Sequence, residues 1–194
     1  MRQQKNKNKF QTGFTLVEMI VAVALFSIVM VIAMGALLNV LNASQQSQSI
    51  QTAVNNLNLA MEMMTREIRT GYDYHCGSEG TYTSPKDCLT GENFIAFEPF
   101  DGNPASPNDQ VVFKYENKQI WKSTDGGVTF ATLTSPELHL ERLLFIVVGS
   151  ENVDIHPKVL IVVGGYAGDE NREKGRSYFN LQTTISQRKI EFNI

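Results

Sequence analysis

Hydrophobic and polar positions divide the 194-residue chain into three stretches. The first is a nearly unbroken apolar run. Met19 to Leu38 is apolar apart from Ser27 and Gly35, and no charged side chain occurs from Met19 to Met61. About 20 apolar residues are enough to cross a bilayer as a helix. The second stretch is a stripe. Ile50, Val54, Leu57, Met61, Met64 and Ile68 recur at intervals of four and three, with Gln, Asn and Ser opposite, the mark of an amphipathic helix. No proline interrupts the pattern before Pro85, and Gly71, just after Arg66 and Arg69, is the expected stop. A single helix from Phe14 to Thr70 would be roughly 85 Å long at 1.5 Å per residue.

The third stretch begins with turn formers. Residues 72–109 are rich in Gly, Ser, Thr and Pro and predict a long loop with one short strand, Phe94 to Glu98. From Val111 onward strand patterns dominate. "QVVFKYE" and "QIWKS" flank the short connection Glu116-Asn117-Lys118, and Asp125 to Gly127 makes another turn before "VTFATL". Then come "LERLLFIVVG", "KVLIVVGGYAG" and "SYFNLQTTISQRKIEF", rich in Val, Ile, Phe and Thr as strands are. A charged loop, Gly168 to Arg176, separates the last two. The predicted class is α+β, with a long N-terminal α-helix packed on a mostly antiparallel β-sheet.

Charge sharpens this division. Arg2, Lys5, Lys7 and Lys9 precede the apolar run, and the rest of the chain holds 13 basic against 20 acidic residues, a net of −7. Basic residues before a spanning segment and none just after it predict a cytoplasmic N-terminus, with the bulk of the chain outside. An acidic body argues against nucleic acid as a partner. The two cysteines, Cys76 and Cys88, follow the apolar run within the turn-rich stretch. Outside the cytoplasm a disulfide is allowed, and a stapled loop is the expectation; two buried free thiols are the alternative. A metal site is disfavoured, because only His75 is close in sequence and no CxxC spacing exists.

Catalytic patterns are missing from the sequence. His75, His139 and His156 are scattered, no GxSxG occurs, and "VVGGYAG" lacks dinucleotide spacing. Asp101, Asp109 and Asp125 fall in loops without EF-hand spacing. Met61, Met63 and Met64 suit core filling, and Tyr115 and Trp121 suit sheet packing. No cofactor is expected.

One residue does not fit a plain membrane span. Glu18 sits at the head of the apolar run, where an acid costs on the order of 2.5–3.5 kcal/mol at the bilayer centre and less near the interface. A secretory signal peptide would have a shorter apolar core and a small-residue cleavage site. A simple anchor explains the hydrophobicity and the basic flank but leaves Glu18 without a purpose.

"GFTLVE", Gly13 to Glu18, resembles the processing site of type IV prepilins and type II secretion pseudopilins. With the basic leader before it and the apolar run after it, the resemblance covers residues 1 to about 70. It implies a pilin-like fold. It also implies cleavage between Gly13 and Phe14 by a prepilin peptidase, N-methylation of Phe14 and use of Glu18 in assembly. The implied partners are that peptidase, other pilin or pseudopilin subunits and an inner membrane assembly platform. The domains that follow are a leader (1–13), a hydrophobic half-helix (14–40), an amphipathic half-helix (41–71) and an outer head (72–194) with a loop at 72–109. The strand-rich end also looks like that of minor, J-like subunits. Elementary electrostatics agrees. Cleavage removes four leader charges and creates an ammonium on Phe14, whose charge one methyl group preserves. In a staggered bundle that ammonium can meet Glu18 of a neighbouring subunit. The other reading is a single-pass anchored binding domain that never polymerises.

Overall fold

The computed structural model describes residues 13–152, 154–168 and 176–188. The basic leader, most of the charged loop 168–176 and the end of the last expected strand lie outside the described residues. The chain divides into two compact units, residues 1–45 and 46–194, and each is taken by itself below. The organisation is α+β, one long N-terminal helix with antiparallel sheets, consistent with a pilin-like fold.

Helix α1 runs over Leu16–Thr70. Thr15 caps its start, its Oγ1 accepting the Glu18 N–H at 3.2 Å. The one hydroxyl inside the apolar run is satisfied locally, Ser27 Oγ donating to the Val23 carbonyl at 2.8 Å.

In the second unit α1 buries Ala53, Leu57, Ala60, Met64 and Ile68, with Ile50 and Met61 partly buried beside them. This face is turned slightly from the stripe read in the sequence, and Val54 is 37% exposed. The physical reason is closeness of approach. Ala53 and Ala60 are short enough to lie under the sheets, and that pushes the larger Val54 to the rim. The helix end is tightly tied. Gly71 N–H donates to the Glu67 carbonyl at 2.9 Å. Tyr74 OH donates to the Ile68 carbonyl at 2.6 Å and the Gly71 carbonyl at 2.7 Å. Arg188 N–H donates to the Arg69 carbonyl at 2.9 Å. Carbonyls that a helix end normally leaves to water are thereby paired with protein. Gly71 is required there for space, because a methyl group would strike the buried Phe97 ring and come within 3.0 Å of the Glu98 carbonyl.

Among the described residues nine strands follow: β1 Tyr72–Cys76, β2 Cys88–Glu92, β3 Phe94–Glu98, β4 Val111–Glu116, β5 Gln119–Ser123, β6 Ala131–Thr132, β7 Leu138–Val148, β8 Lys158–Ala167 and β9 Ser177–Ser186. They form two antiparallel sheets, ordered β1-β3-β4-β5-β6 and β2-β7-β8-β9. The sequence pattern predicted one sheet and a loop over 72–109. The structure instead places β1 and β2 within that stretch, either side of the loop that joins the two cysteines. Both strands are short, and each pairing is broken by a register shift, so neither carries a clean alternating pattern. The β4–β5 hairpin is where the sequence puts it. Asn117 and Lys118 take φ values of 51° and 62°, the left-handed pair of a two-residue type I′ turn.

A single cluster joins α1 to both sheets. Tyr74, Ile95, Phe97, Phe113 and Ile120 come from the first sheet, and Leu140, Leu143, Phe145, Val147, Ile161, Val163 and Ile185 from the second. On the outer face of the first sheet, Tyr82 and Phe130 cover Phe94, Ala96 and Val112, so all five residues of β3 are buried. The observed helix face makes a specific prediction. Leu57→Ala should cost about 2–5 kcal/mol of head stability, and Val54→Ala less than about 1 kcal/mol, in denaturant titrations of the full chain in detergent. Equal costs would contradict the burial face.

Candidate functional site

The sequence points to Gly13, Phe14 and Glu18. Gly13 and Phe14 precede α1, and Phe14 is 77% exposed. Thr15 is the cap and Glu18 the third residue of the helix, the S/T-x-x-E spacing of a capping box. Thr15 was not singled out from the sequence, although that spacing is its signal. Glu18 also lies at the positive end of the helix dipole, which favours a carboxylate. Among the described residues no basic side chain pairs with it and no donor reaches its carboxylate. Around it every residue from Gly13 to Ser49 is exposed, including Leu16, Val17, Ile20, Phe26, Ile32 and Leu41. α1 contains a stretch long and apolar enough to cross a membrane. This segment therefore combines a large uncovered apolar surface with one unpartnered acid. Chemically it can insert in an apolar medium and present a carboxylate to a cation.

Cys76 and Cys88 form a disulfide, with Cα atoms 5.7 Å apart. It joins the end of β1 in the first sheet to the start of β2 in the second, so it links the two sheets as well as closing a loop. The loop is further held by His75, whose Nδ1 and Nε2 lie 2.7 Å and 2.9 Å from the Ser84 and Glu79 carbonyls. Asp87 adds a third tie, accepting the Gly149 and Ser150 N–H groups at 2.9 and 2.8 Å. His139 stacks near Tyr166, with centroids 5.1 Å apart. The three histidines are not brought together. Among the described residues no group of three or more His, Cys, Asp or Glu is placed to hold a metal ion.

The head has a cleft of about 460 Å³ lined by Glu67, Phe97, Asp101, Asp109 and Lys122, among others. Glu67 Oε1 and Lys122 Nζ pair across it at 2.6 Å. Beside it Glu98 is 1% exposed, and its Oε2 accepts from Gln110 Nε2 at 2.8 Å. Burial and then the Asp109 charge raise the Glu98 carboxyl above its ordinary value, with Gln110 pulling the other way and Asp73 adding a smaller raise. Burial likewise raises Asp73. By contrast, hydrogen bonds from Ser123, Thr129 and Val128 hold Asp125 down to about 2. No sequence pattern marks Glu98 as buried, because its environment is assembled from three separate loops and strands.

Residues 8–34 fit the model for the prokaryotic N-terminal methylation motif, a type IV prepilin-like motif. The match covers about one-seventh of the chain and includes Gly13, Phe14 and Glu18. No curated protein matches the chain. No solved structure matches it either.

The buried acid generates a prediction. A carboxyl that holds its proton more tightly folded than unfolded stabilises fully only below its unfolded pKa, and the contribution fades as pH rises through the higher folded value. Wild-type stability relative to Glu98→Gln should therefore fall as pH rises above about 4.3, the ordinary glutamate value. Thermal midpoints of both proteins across that range check the sign. A difference that grows with pH would contradict the buried-acid account.

Proposed function

We propose that this chain is a non-catalytic subunit of a type IV pilus or type II secretion pseudopilus, processed by a prepilin peptidase and assembled through α1. The observation that carries the reading is a coincidence at one place. The N-terminal methylation motif spans residues 8–34, and within it the single acid, Glu18, heads an exposed apolar helix with no partner among the described residues. In this reading the peptidase removes residues 1–13, cutting between Gly13 and Phe14, and Phe14 is N-methylated. Residues 14–40 lie first in the membrane and later in the filament core, residues 41–71 connect, and residues 72–194 form the outer head. The subunit enters the membrane once, N-terminus inward, with the head outside.

Glu18 is the assembly carboxylate. Its cost in an apolar setting is offset when the ammonium of a neighbouring Phe14 meets it, and a pair of opposite charges fixes the axial register between two otherwise slippery helices. The elaborated two-sheet head suits a minor, J-like subunit that initiates or caps the filament. The partners are the peptidase, other pilin or pseudopilin subunits and the inner membrane assembly platform.

Two measurements test this. Intact-mass and peptide spectrometry of the protein from its native membrane should find Phe14, carrying one methyl group, at the N-terminus. A chain that retains Met1 would favour a membrane-anchored binding domain that never polymerises. Glu18→Ala should leave insertion and head folding intact while reducing filament incorporation by at least about tenfold, the loss expected for about 1.4 kcal/mol of register energy. Wild-type incorporation of that variant would remove the role given to Glu18.

A further inference from the structure

The two sheets have four outer strands, and three of them are protected. β1 has a register shift between Tyr72 and His75, Asp73 at φ 51°, and a parallel bridge from His75 to Lys86 along its side. β2 has a shift between Cys88 and Glu92 and Gly91 at φ 82°. β6 is two residues long. Bulges, shortness and flanking segments are the usual devices that stop a sheet edge from pairing with another chain.

β9 has none of them. It pairs with β8 at ten successive positions, from Lys158↔Ser186 to Ala167↔Ser177, without a shift. Residues 177–186 contain no charge and no proline. Among the described residues no strand pairs with its other side. About half of its backbone N–H and C=O groups point outward along that side. The strand is also held in place, because Gln187 N–H donates to the Pro157 carbonyl at 3.1 Å and Arg188 N–H to the Arg69 carbonyl at 2.9 Å.

Beside this strand lies a mostly apolar groove of about 510 Å³. Met61, Thr65 and Thr183 line it, and its charged groups are Arg66, Arg69, Arg188 and the single acid Glu62. Among the described residues none of the three arginines is ion-paired. Three such arginines together are unusual in a body of net charge −7.

We propose that the free side of β9 is a strand-addition site. It takes an extended segment of another polypeptide, apolar at alternate positions and bearing a carboxylate that meets Arg66, Arg69 and Arg188. Main-chain hydrogen bonds to β9 supply affinity, and every second side chain enters the groove, the division of labour that strand addition uses elsewhere. A second copy offering its own β9 does not fit, because that strand carries no carboxylate to answer the arginines. Strand addition requires neither cleavage at Gly13 nor filament entry, so its test is independent of the pilin reading.

The test uses the full chain in detergent and hydrogen exchange read by mass spectrometry. The probes are six-residue synthetic peptides alternating Val, Ile or Leu with Thr, one Thr replaced by Glu, and matched peptides with Lys in place of Glu. At about 1 mM, the acidic peptides should slow exchange in β9 by at least about tenfold, with β1, β2 and β6 unchanged. The lysine peptides should not. Arg66→Ser with Arg69→Ser, both exposed positions, should weaken the effect by about tenfold, and Thr183→Lys should abolish it. An unchanged β9 with every acidic peptide overturns the proposal. Equal protection by the lysine peptides overturns the charge reading and with it the stated partner. Protection of β9 that appears without peptide and rises with protein concentration assigns the edge to a second copy and overturns it too. So does protection present without peptide that vanishes when residues 189–194 are deleted, which assigns the edge to the chain itself.

Discussion

The head depends on one narrow face of α1 being buried against two sheets at once. Ala53, Leu57, Ala60, Met64 and Ile68 share a single core with side chains of both sheets. The two small residues of that face, Ala53 and Ala60, are covered as fully as the large Leu57, Met64 and Ile68, so the sheets approach the helix backbone closely there. The tie at the helix end completes the arrangement. The Tyr74 hydroxyl, on β1, donates to the Ile68 carbonyl in the last turn and to that of Gly71 just beyond it, and the Arg188 N–H, just past β9, donates to the Arg69 carbonyl. The end of α1 is thus stitched to β1 on one side and to the chain end of β9 on the other.

The sheets themselves are joined by means that do not rely on hydrophobic contact alone. The Cys76–Cys88 disulfide runs from one to the other. Tyr115 OH donates to the Leu140 carbonyl at 2.9 Å, and Leu140 N–H donates to the Lys118 carbonyl at 3.0 Å. By the chain-entropy account, closing a loop of this size contributes about 3 kcal/mol. The cross-link also holds β1 and β2 where their own short, shifted pairings would be weak. An outer strand secured in this way is a poor template for another chain, and the contrast with β9 follows from it.

The N-terminal segment obeys the opposite logic. Its apolar side chains are exposed all round the helix, so among the described residues nothing within its own unit covers them. Burial of that surface must come from lipid or from other helices, because an apolar surface of this extent is not left to water. In such a medium a lone carboxylate such as Glu18 is costly unless a cation offsets it. Head and segment therefore divide the work. The head has a core of its own, whereas the apolar surface of the segment is uncovered.

Local periodicity was enough to place much of this. The long helix, its stop at Gly71, the short hairpin connection around Asn117 and the long strands β7, β8 and β9 all follow from residue order, because caps, turns and alternating patterns act over a few neighbours. The position of Glu18 in an apolar run is likewise a property of the sequence itself. What residue order left open were relations between distant segments. Val54 and Ala53 are equally good helix residues, and only the closeness of the sheets decides which is buried. β1 and β2 looked like loop because their strand character comes from partners far along the chain. Glu98 became a buried acid, and β9 a long regular edge among the described strands, only once three-dimensional neighbours were fixed. Backbone and periodicity are local and can be read along a chain; desolvation and the number of strands beside a strand are set by packing.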